Sequence, residues 1–207
     1  MSESWYRNTE WTPQIEAAFN AKLARSRGQK AQYLRIQGSI LVSRHPEAAL
    51  ELLHRCIELE DEMTLAAAHQ DAAHSHYRMG DLELALRSLE AAIEQQEVLP
   101  IAKAEAPYDY CMLVALHGFD ERYDKALALI AQIGSGPFPL TNFKAQAANS
   151  IILWERGRRE EAKAAARLAL EAEAVEHGWI LGHPDVGRVP KDNLLSSRLV
   201  EITASEP

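Results

Sequence analysis

The chain has 207 residues, of which 47% are hydrophobic and 25% charged, and its formal net charge is −8 at pH 7. These values are ordinary for a globular protein, and no run of about 20 apolar residues predicts a membrane span. The opening residues, MSESWYRNTEW, lack an apolar run behind a basic segment, so no secretory signal is expected. We therefore predict a cytoplasmic protein in which Cys56 and Cys111 are buried free thiols.

Charge is spread unevenly along the chain. Residues 1–35 carry six Lys and Arg against three Asp and Glu, whereas residues 47–109 carry four against fourteen. An acidic middle repels the phosphates of nucleic acids, so we expect no nucleic-acid partner. Two explanations stay open for the acidic block: a surface for a basic protein partner, or the solvated outer faces of Glu-rich helices.

Aromatic residues and a helix start mark the N-terminal part. Trp5, Tyr6 and Trp11 crowd a segment that a disordered tail would rarely fill with aromatics, so we expect it to fold back onto the body. Thr12 and Pro13 then predict a helix start, because Thr caps helices well and Pro suits the first helical position. Residues 29–43 predict the next helix, and His45-Pro46 ends it and begins another.

The stretch 65–97 has the clearest pattern in the chain. It predicts two helices that are broken at Met79-Gly80-Asp81, with Gly80 in a turn of positive φ and the carboxylate of Asp81 capping the second helix. The second helix carries an apolar stripe along one face. The stripe consists of Leu82, Ala85, Leu86, Leu89, Ala92 and Ile93.

Further helix pairs are predicted at about 105–133 and 141–177, with a loop over Gly134–Pro139 between them. A last helix is expected at about 192–203 as a C-terminal cap. The apolar run Trp179-Ile180-Leu181 has two interpretations. It belongs to that cap, or it fills an inner groove of the protein.

The pair at 65–97 resembles a tetratricopeptide repeat (TPR). Ala85 and Leu89 take the Ala and Phe positions of its second helix, and Ala73 and His76 take the Gly and Tyr positions of its first. The Ala position recurs at intervals of 36, 41 and 36 residues, against 34 in the family. The four anchor alanines are Ala49, Ala85, Ala126 and Ala162.

This resemblance implies an all-α fold, an antiparallel helix-pair solenoid of the TPR-like superhelical kind with about four repeats and capping helices. We expect a single domain over residues 1–207, with an N-terminal cap at 1–28, repeats at 29–177 and a C-terminal cap at 178–207.

In TPR proteins the first helix of each repeat, the A helix, lines a concave groove that binds a protein or peptide. For Ile151 and Trp154 the alternative is packing beneath the C-terminal cap. The groove residues that the resemblance implies are Gln70, His74, Tyr77 and Arg78 from the second repeat, Tyr108 from the third, and Lys144, Ile151 and Trp154 from the fourth.

No pattern in the chain predicts chemistry. His69, His74 and His76 are spaced so that only the first and last share a helix face, and both fall on packing positions, so no metal site is expected. No phosphate-binding loop, dinucleotide fingerprint or nucleophile motif is present, and we expect neither an enzyme nor a cofactor.

The functional hypothesis is a non-enzymatic interaction module whose groove binds a protein or peptide. A concrete version is an inhibitor or immunity-type protein that occludes a basic effector. The alternative is a regulatory sensor that responds to a peptide or small ligand. The pattern does not predict an oligomeric state.

Overall fold

The structure is a computed structural model that describes residues 5–101, 104–136, 138–175, 186–190 and 195–205. These residues form α-helices and one 3₁₀ helix and contain no strand, which confirms the all-α class. The helices are α1 (Pro13–Arg25), α2 (Lys30–Leu41), α3 (Pro46–Ile57), α4 (Glu62–Met79), α5 (Leu82–Val98), α6 (Ala106–His117), α7 (Tyr123–Ile133), α8 (Pro139–Glu155), α9 (Arg159–Glu173) and α10 (Leu195–Ala204), with the 3₁₀ helix at Asp120–Arg122.

The chain forms two compact units, Met1–Ala106 (unit 1) and Pro107–Pro207 (unit 2). That the two belong to one domain over residues 1–207 stays a prediction. None of the helices in the described ranges is long and apolar enough to cross a membrane.

In unit 1 the N-terminal segment folds back onto α1 and α2, as its aromatic content predicted. The ring centroid of Trp5 lies 5.3 Å from that of Phe19 and 4.8 Å from that of Tyr33. The predicted start of α1 is also confirmed, because Thr12 Oγ1 accepts a 3.3 Å hydrogen bond from the Ile15 N–H. Helices α2, α3, α4 and α5 then pack in sequence order, and α2 also contacts α4.

The turns after α4, α6 and α8 repeat one geometry. Gly80, Gly118 and Gly157 have φ values of 86°, 67° and 73°, the left-handed region that glycine adopts without steric cost. In each turn the N–H after the glycine donates to a carbonyl five residues earlier, which closes the preceding helix. The three bonds run from Asp81 N to His76 O (2.9 Å), from Phe119 N to Val114 O (3.2 Å) and from Arg158 N to Leu153 O (2.9 Å).

One expected cap is absent. Asp81 precedes α5, but its carboxylate makes no capping hydrogen bond, and its backbone N–H takes part in the turn instead, by donating to His76 O at the end of α4. A side-chain cap occurs instead one helix earlier, where Asp61 Oδ1 accepts from the Thr64 N–H at 3.1 Å. The start of α8 is a second difference. Pro139, expected in a loop, is its first helical residue, and a proline fits both environments.

All four anchor alanines are buried, with at most 1% of their surface exposed. A small residue lies opposite three of them. Ser150 Oγ donates to Ala162 O at 2.9 Å, and Cys111 Sγ donates to Ala126 O at 3.5 Å. A Cβ added to Gly38 would lie 3.3 Å from the Ala49 carbonyl oxygen. Small residues at these places let the paired helices approach closely.

The longest interval between the anchor alanines has a local cause. Cys111 and Ser150 both lie seven residues before their turn glycine, the distance that separates Ala73 from Gly80. The 3₁₀ helix Asp120–Arg122 inserts three residues between Gly118 and α7. This insertion lengthens the interval to Ala126, the longest of the three.

Unit 2 is built around α8, which packs against α9, α10 and α7. The predicted last helix is confirmed as α10, whose Leu199 and Ile202 are buried against α8 and α9. The run Trp179-Ile180-Leu181, with its two interpretations, lies outside the described residues.

Candidate partner-binding surfaces

The four groove residues predicted on α4 share one side of that helix. Gln70, His74, Tyr77 and Arg78 follow the i, i+4, i+7, i+8 pattern, and none of them is buried. Tyr77 leaves 46% of its surface exposed, which is unusual for so large a ring. The opposite side of the helix faces the core through Ala68, Ala72, Ser75 and His76.

Two of these residues are fixed by neighbouring backbone. Gln70 Oε1 accepts a 3.1 Å hydrogen bond from the Glu105 N–H, and an Arg78 Nη donates to the Ser43 carbonyl at 3.3 Å. Such contacts restrict the side chains and so lower the entropy that a partner must remove on binding. We refer to Gln70, His74, Tyr77 and Arg78 as the α4 surface.

An ion pair between a half-buried arginine and a buried aspartate, which the pattern did not predict, adjoins the α4 surface. Arg35 Nε on α2 lies 2.7 Å from Asp71 Oδ2, and the Ser39 hydroxyl donates to Oδ1 at 3.3 Å. Burial raises the pKa of the Asp71 carboxyl, and the nearby Arg35 guanidinium partly opposes that rise. Arg35 and Ser39 hold the same positions relative to Gly38 that Gln70 and His74 hold relative to Ala73. Aligning Gly38 of the first predicted repeat with Ala73 of the second would have placed Arg35 and Ser39 at the positions of Gln70 and His74.

The predicted groove residues of unit 2 are largely engaged within the unit. Lys144 Nζ lies 2.7 Å from Asp109 Oδ1, with 21% and 13% of the two side chains exposed. Trp154 is half-buried, and the Arg159 guanidinium covers its ring at 3.7 Å from the centroid. These contacts leave less of Lys144 and Trp154 available to a partner than the pattern suggested.

The other two unit 2 residues differ from each other. Ile151 has no exposed surface, which agrees with the alternative of core packing, and we leave it out of the surface proposed below. Tyr108 is half-buried, and its hydroxyl lies so near Gly136 that a Cβ there would be 2.8 Å away.

An open cavity of about 960 Å³ lies in unit 2, where the ends of α6, α7, α8 and α10 meet. Its wall is polar and contains the ion pair of Arg198 with Glu155 at 3.0 Å. Arg156, also in the wall, pairs at 3.1 Å with Asp124, which does not line the cavity. Burial is the main cause that raises the pKa of the Tyr123 phenol, and the negative charges of Glu155 and Asp120 raise it further. The charged and aromatic residues of the lining are His117, Asp120, Tyr123, Glu155, Arg156 and Arg198.

The acidic block lies mostly away from the α4 surface. Asp71 and Asp109 each have a cationic partner, whereas most other carboxylates project from α3, α5 and the turn between α3 and α4. The exposed acidic residues of these elements are Glu47, Glu51, Glu58, Glu60, Asp61, Glu83, Glu94 and Glu97, and Glu62 at the start of α4 is exposed as well.

Two histidines of unit 1, His54 on α3 and His76 on α4, lie next to each other. The ring centroids of His54 and His76 lie 6.4 Å apart. Burial is the main cause that lowers the pKa of both His69 and His76, and charge repulsion from His54 lowers it further. Across the described part of the chain, no three His, Cys, Asp or Glu side chains are grouped to hold a metal ion.

These observations define an all-α protein with a polar and aromatic helix surface in unit 1. No family model, curated protein or solved structure shows significant similarity to the chain.

Proposed function

We propose that the chain is a non-enzymatic interaction module that binds a protein or peptide through the A-helix side of a TPR-like solenoid. The observation that carries this proposal is the α4 surface, where an exposed tyrosine stands beside an arginine whose side chain is restrained. Tyr and Arg are the residue types enriched at the energetic centres of protein interfaces. The recurring turns and buried anchor alanines support the repeat arrangement on which the groove depends.

The unit 1 part of the groove is tested by the double variant Y77A/R78E. We expect a partner captured from the native host with the wild-type chain to bind this variant at least tenfold more weakly, as for loss of two central contacts. The matched control is L168A/R167E on α9, which removes an equally exposed apolar side chain and reverses one charge. If both variants keep the partner, the α4 surface is not its binding site.

The version with a basic effector depends on a different face. Because exposed carboxylates project from α3 and α5, a basic protein would dock on these helices beside the A-helix side. Its affinity would fall as ionic strength rises, since salt screens attraction between exposed charges. E94K/E97K, which reverses two exposed charges on α5, would weaken such a complex and leave binding at Tyr77 intact. An affinity that does not change with salt would contradict this version.

The second candidate function is a ligand-responsive regulator, and the unit 2 cavity favours it. A volume of about 960 Å³ is in the size range of small-molecule sites, and its lining offers both cationic and anionic groups. A ligand that binds the folded chain raises its melting temperature. A small-molecule fraction of the host that produces such a shift in wild type and not in R156A/R198A would support the sensor over the interaction module.

A further inference from the structure

The N-terminal segment and α1 of unit 1 enclose two adjoining clefts with Trp5 and Lys22 in both walls. The first cleft has a volume of about 360 Å³, and the second, next to Tyr33, about 300 Å³. The first contains an apolar floor formed by one side of α1. This floor consists of Ile15, Ala18 and Phe19.

Trp5, the shared wall, is held in place from several sides. It contacts Phe19 and Tyr33, and its ring meets Tyr6 edge-on at 5.5 Å between centroids. A wall fixed by ring packing keeps the clefts formed without a ligand, and this preorganisation favours binding.

The N-terminal segment that carries Trp5 is also fixed by the buried side-chain amide of Gln37. Gln37 has no exposed surface, and its Oε1 accepts from the backbone N–H and the Nδ2 of Asn8, both at 2.9 Å. Its Nε2 donates to the Asn8 carbonyl at 2.7 Å. Asn8 itself lines the first cleft, so this clamp positions one end of the site.

The rims of the clefts are cationic. Arg7 and Lys22 border the first cleft, and Lys22 and Arg25 border the second. Within the described part of the chain, neither Lys22 nor Arg25 forms an ion pair with a carboxylate, unlike Arg35 or Arg44. In a chain of net charge −8, this is a local positive site that attracts anions.

We propose that this pair of clefts, the Trp5 site, binds an amphiphilic anion, in which a carboxylate is attached to an apolar or aromatic group. The apolar group packs on the floor of α1 beside Trp5, and the carboxylate pairs with Lys22 and with Arg7 or Arg25. The apolar floor selects against small hydrophilic anions, and the rim selects against cations. Two sources supply this chemistry: a free carboxylic acid and an acidic peptide segment with a neighbouring aromatic residue.

The test is a titration of the full-length ¹⁵N-labelled chain, followed by amide and indole N–H chemical shifts. The probe is 3-phenylpropionate at up to about 10 mM, because a ligand of this size binds in the millimolar range. We expect saturable shifts at the Trp5 indole N–H and at the amides of Asn8, Ala18 and Lys22. Two further probes each lack one half of the chemistry: 3-phenylpropylamine carries the opposite charge, and acetate has no aromatic group.

Variants separate the site from general charge attraction. K22E/R25E should weaken 3-phenylpropionate binding at least tenfold, whereas R87E/R167E, the same charge change at two exposed arginines that do not line the clefts, should leave it unchanged. A18Q fills the floor of the first cleft without a charge change and should also weaken binding at least tenfold. Because Ala18 is exposed on α1, this variant tests the cleft even if the charge reversal impairs folding.

A titration with a peptide distinguishes the two sources of the ligand, a free carboxylic acid and an acidic peptide segment. Acetyl-Phe-Glu-amide binding tenfold more tightly than 3-phenylpropionate would support an acidic peptide as ligand, and the reverse order would support a free acid. The proposal is overturned if neither carboxylate produces saturable shifts at the Trp5 site. It is equally overturned if acetate or 3-phenylpropylamine binds as tightly, or if R87E/R167E weakens binding as much as K22E/R25E.

Discussion

The Arg35 guanidinium on α2 lies 2.7 Å from the Asp71 carboxylate on α4, and only 9% of the Asp71 side chain is exposed. These two residues are 36 positions apart in sequence, and the pair joins α2 to α4 in unit 1. A carboxylate that is buried loses its hydration, and nearby cations and hydrogen-bond donors must compensate for that free-energy cost. The position of α4, and with it the α4 surface, therefore depends on Arg35.

We predict that R35A lowers the free energy of unfolding by about 1–3 kcal/mol, because it leaves Asp71 buried without its cation. The figure is below that of a fully buried pair, since about a third of Arg35 is exposed. Urea denaturation monitored by circular dichroism measures it. S39A, which removes the longer hydrogen bond to the same carboxylate, should cost less, and R35A/D71A should cost less than the two single changes added together. If the loss of unfolding free energy in R35A/D71A equalled the sum of the losses in R35A and D71A, a direct interaction between the two residues would be contradicted.

A second prediction concerns the close approach of α2 and α3. A Cβ on Gly38 would lie 2.8 Å from Leu53 Cγ, in a core with no space to yield, so G38A should cost about 1–3 kcal/mol by overpacking. Gly28 has nothing within 4 Å of the same added atom, and G28A should be neutral or stabilising by up to about 1 kcal/mol. The same urea assay compares the two. Equal denaturation midpoints for the two variants would show that α2 and α3 do not pack closely at Gly38.

Features that depend on neighbours in sequence could be predicted well from the chain alone. The periodic stripe of α5, the Thr12 cap and the positive φ of Gly80 each follow from a few adjacent residues, and each is present in the structure. The shared face of Gln70 and Tyr77 is equally local, because helical periodicity alone determines it. The 3₁₀ helix before α7 was missed because no short pattern distinguishes it from an ordinary turn.

Features that depend on distant partners could not be predicted. The ammonium of Lys144 meets Asp109, a residue 35 positions earlier, and no local pattern predicted this ion pair. Ile151 was placed on the groove side of α8 by the resemblance to the TPR pattern, but that pattern does not tell which helix covers the residue, and Ile151 has no exposed surface. The acidic block was visible as composition, whereas its position on α3 and α5 followed only from the packing of the A helices.

The two thiols provide a third prediction. Burial raises the pKa of the Cys111 thiol to about 12 and also raises that of Cys56, whose Sγ donates to the Ala31 carbonyl at 3.2 Å. Since the thiolate is the reactive form, neither residue should react with an aromatic disulfide reagent at pH 8 while the chain is folded. Both should react once urea unfolds it. Absorbance of the released thiolate counts the reactive groups, and rapid reaction of either cysteine in the native chain would contradict its burial.

The last prediction concerns acid stability through His69 and His76. Burial, followed by repulsion from His54, lowers the pKa of each ring below 6.5, its value in the unfolded chain. Between the two pKa values the unfolded chain binds more protons than the folded one, so the free energy of unfolding falls as pH drops below about 6.5. The stabilisation by the neutral rings is complete above that pH. H69Q/H76Q should therefore show a smaller loss of stability between pH 7.5 and pH 5 than the wild type, measured by urea denaturation at each pH. H54Q should raise the pKa of both rings in an NMR titration, and an unchanged titration would remove His54 as a cause.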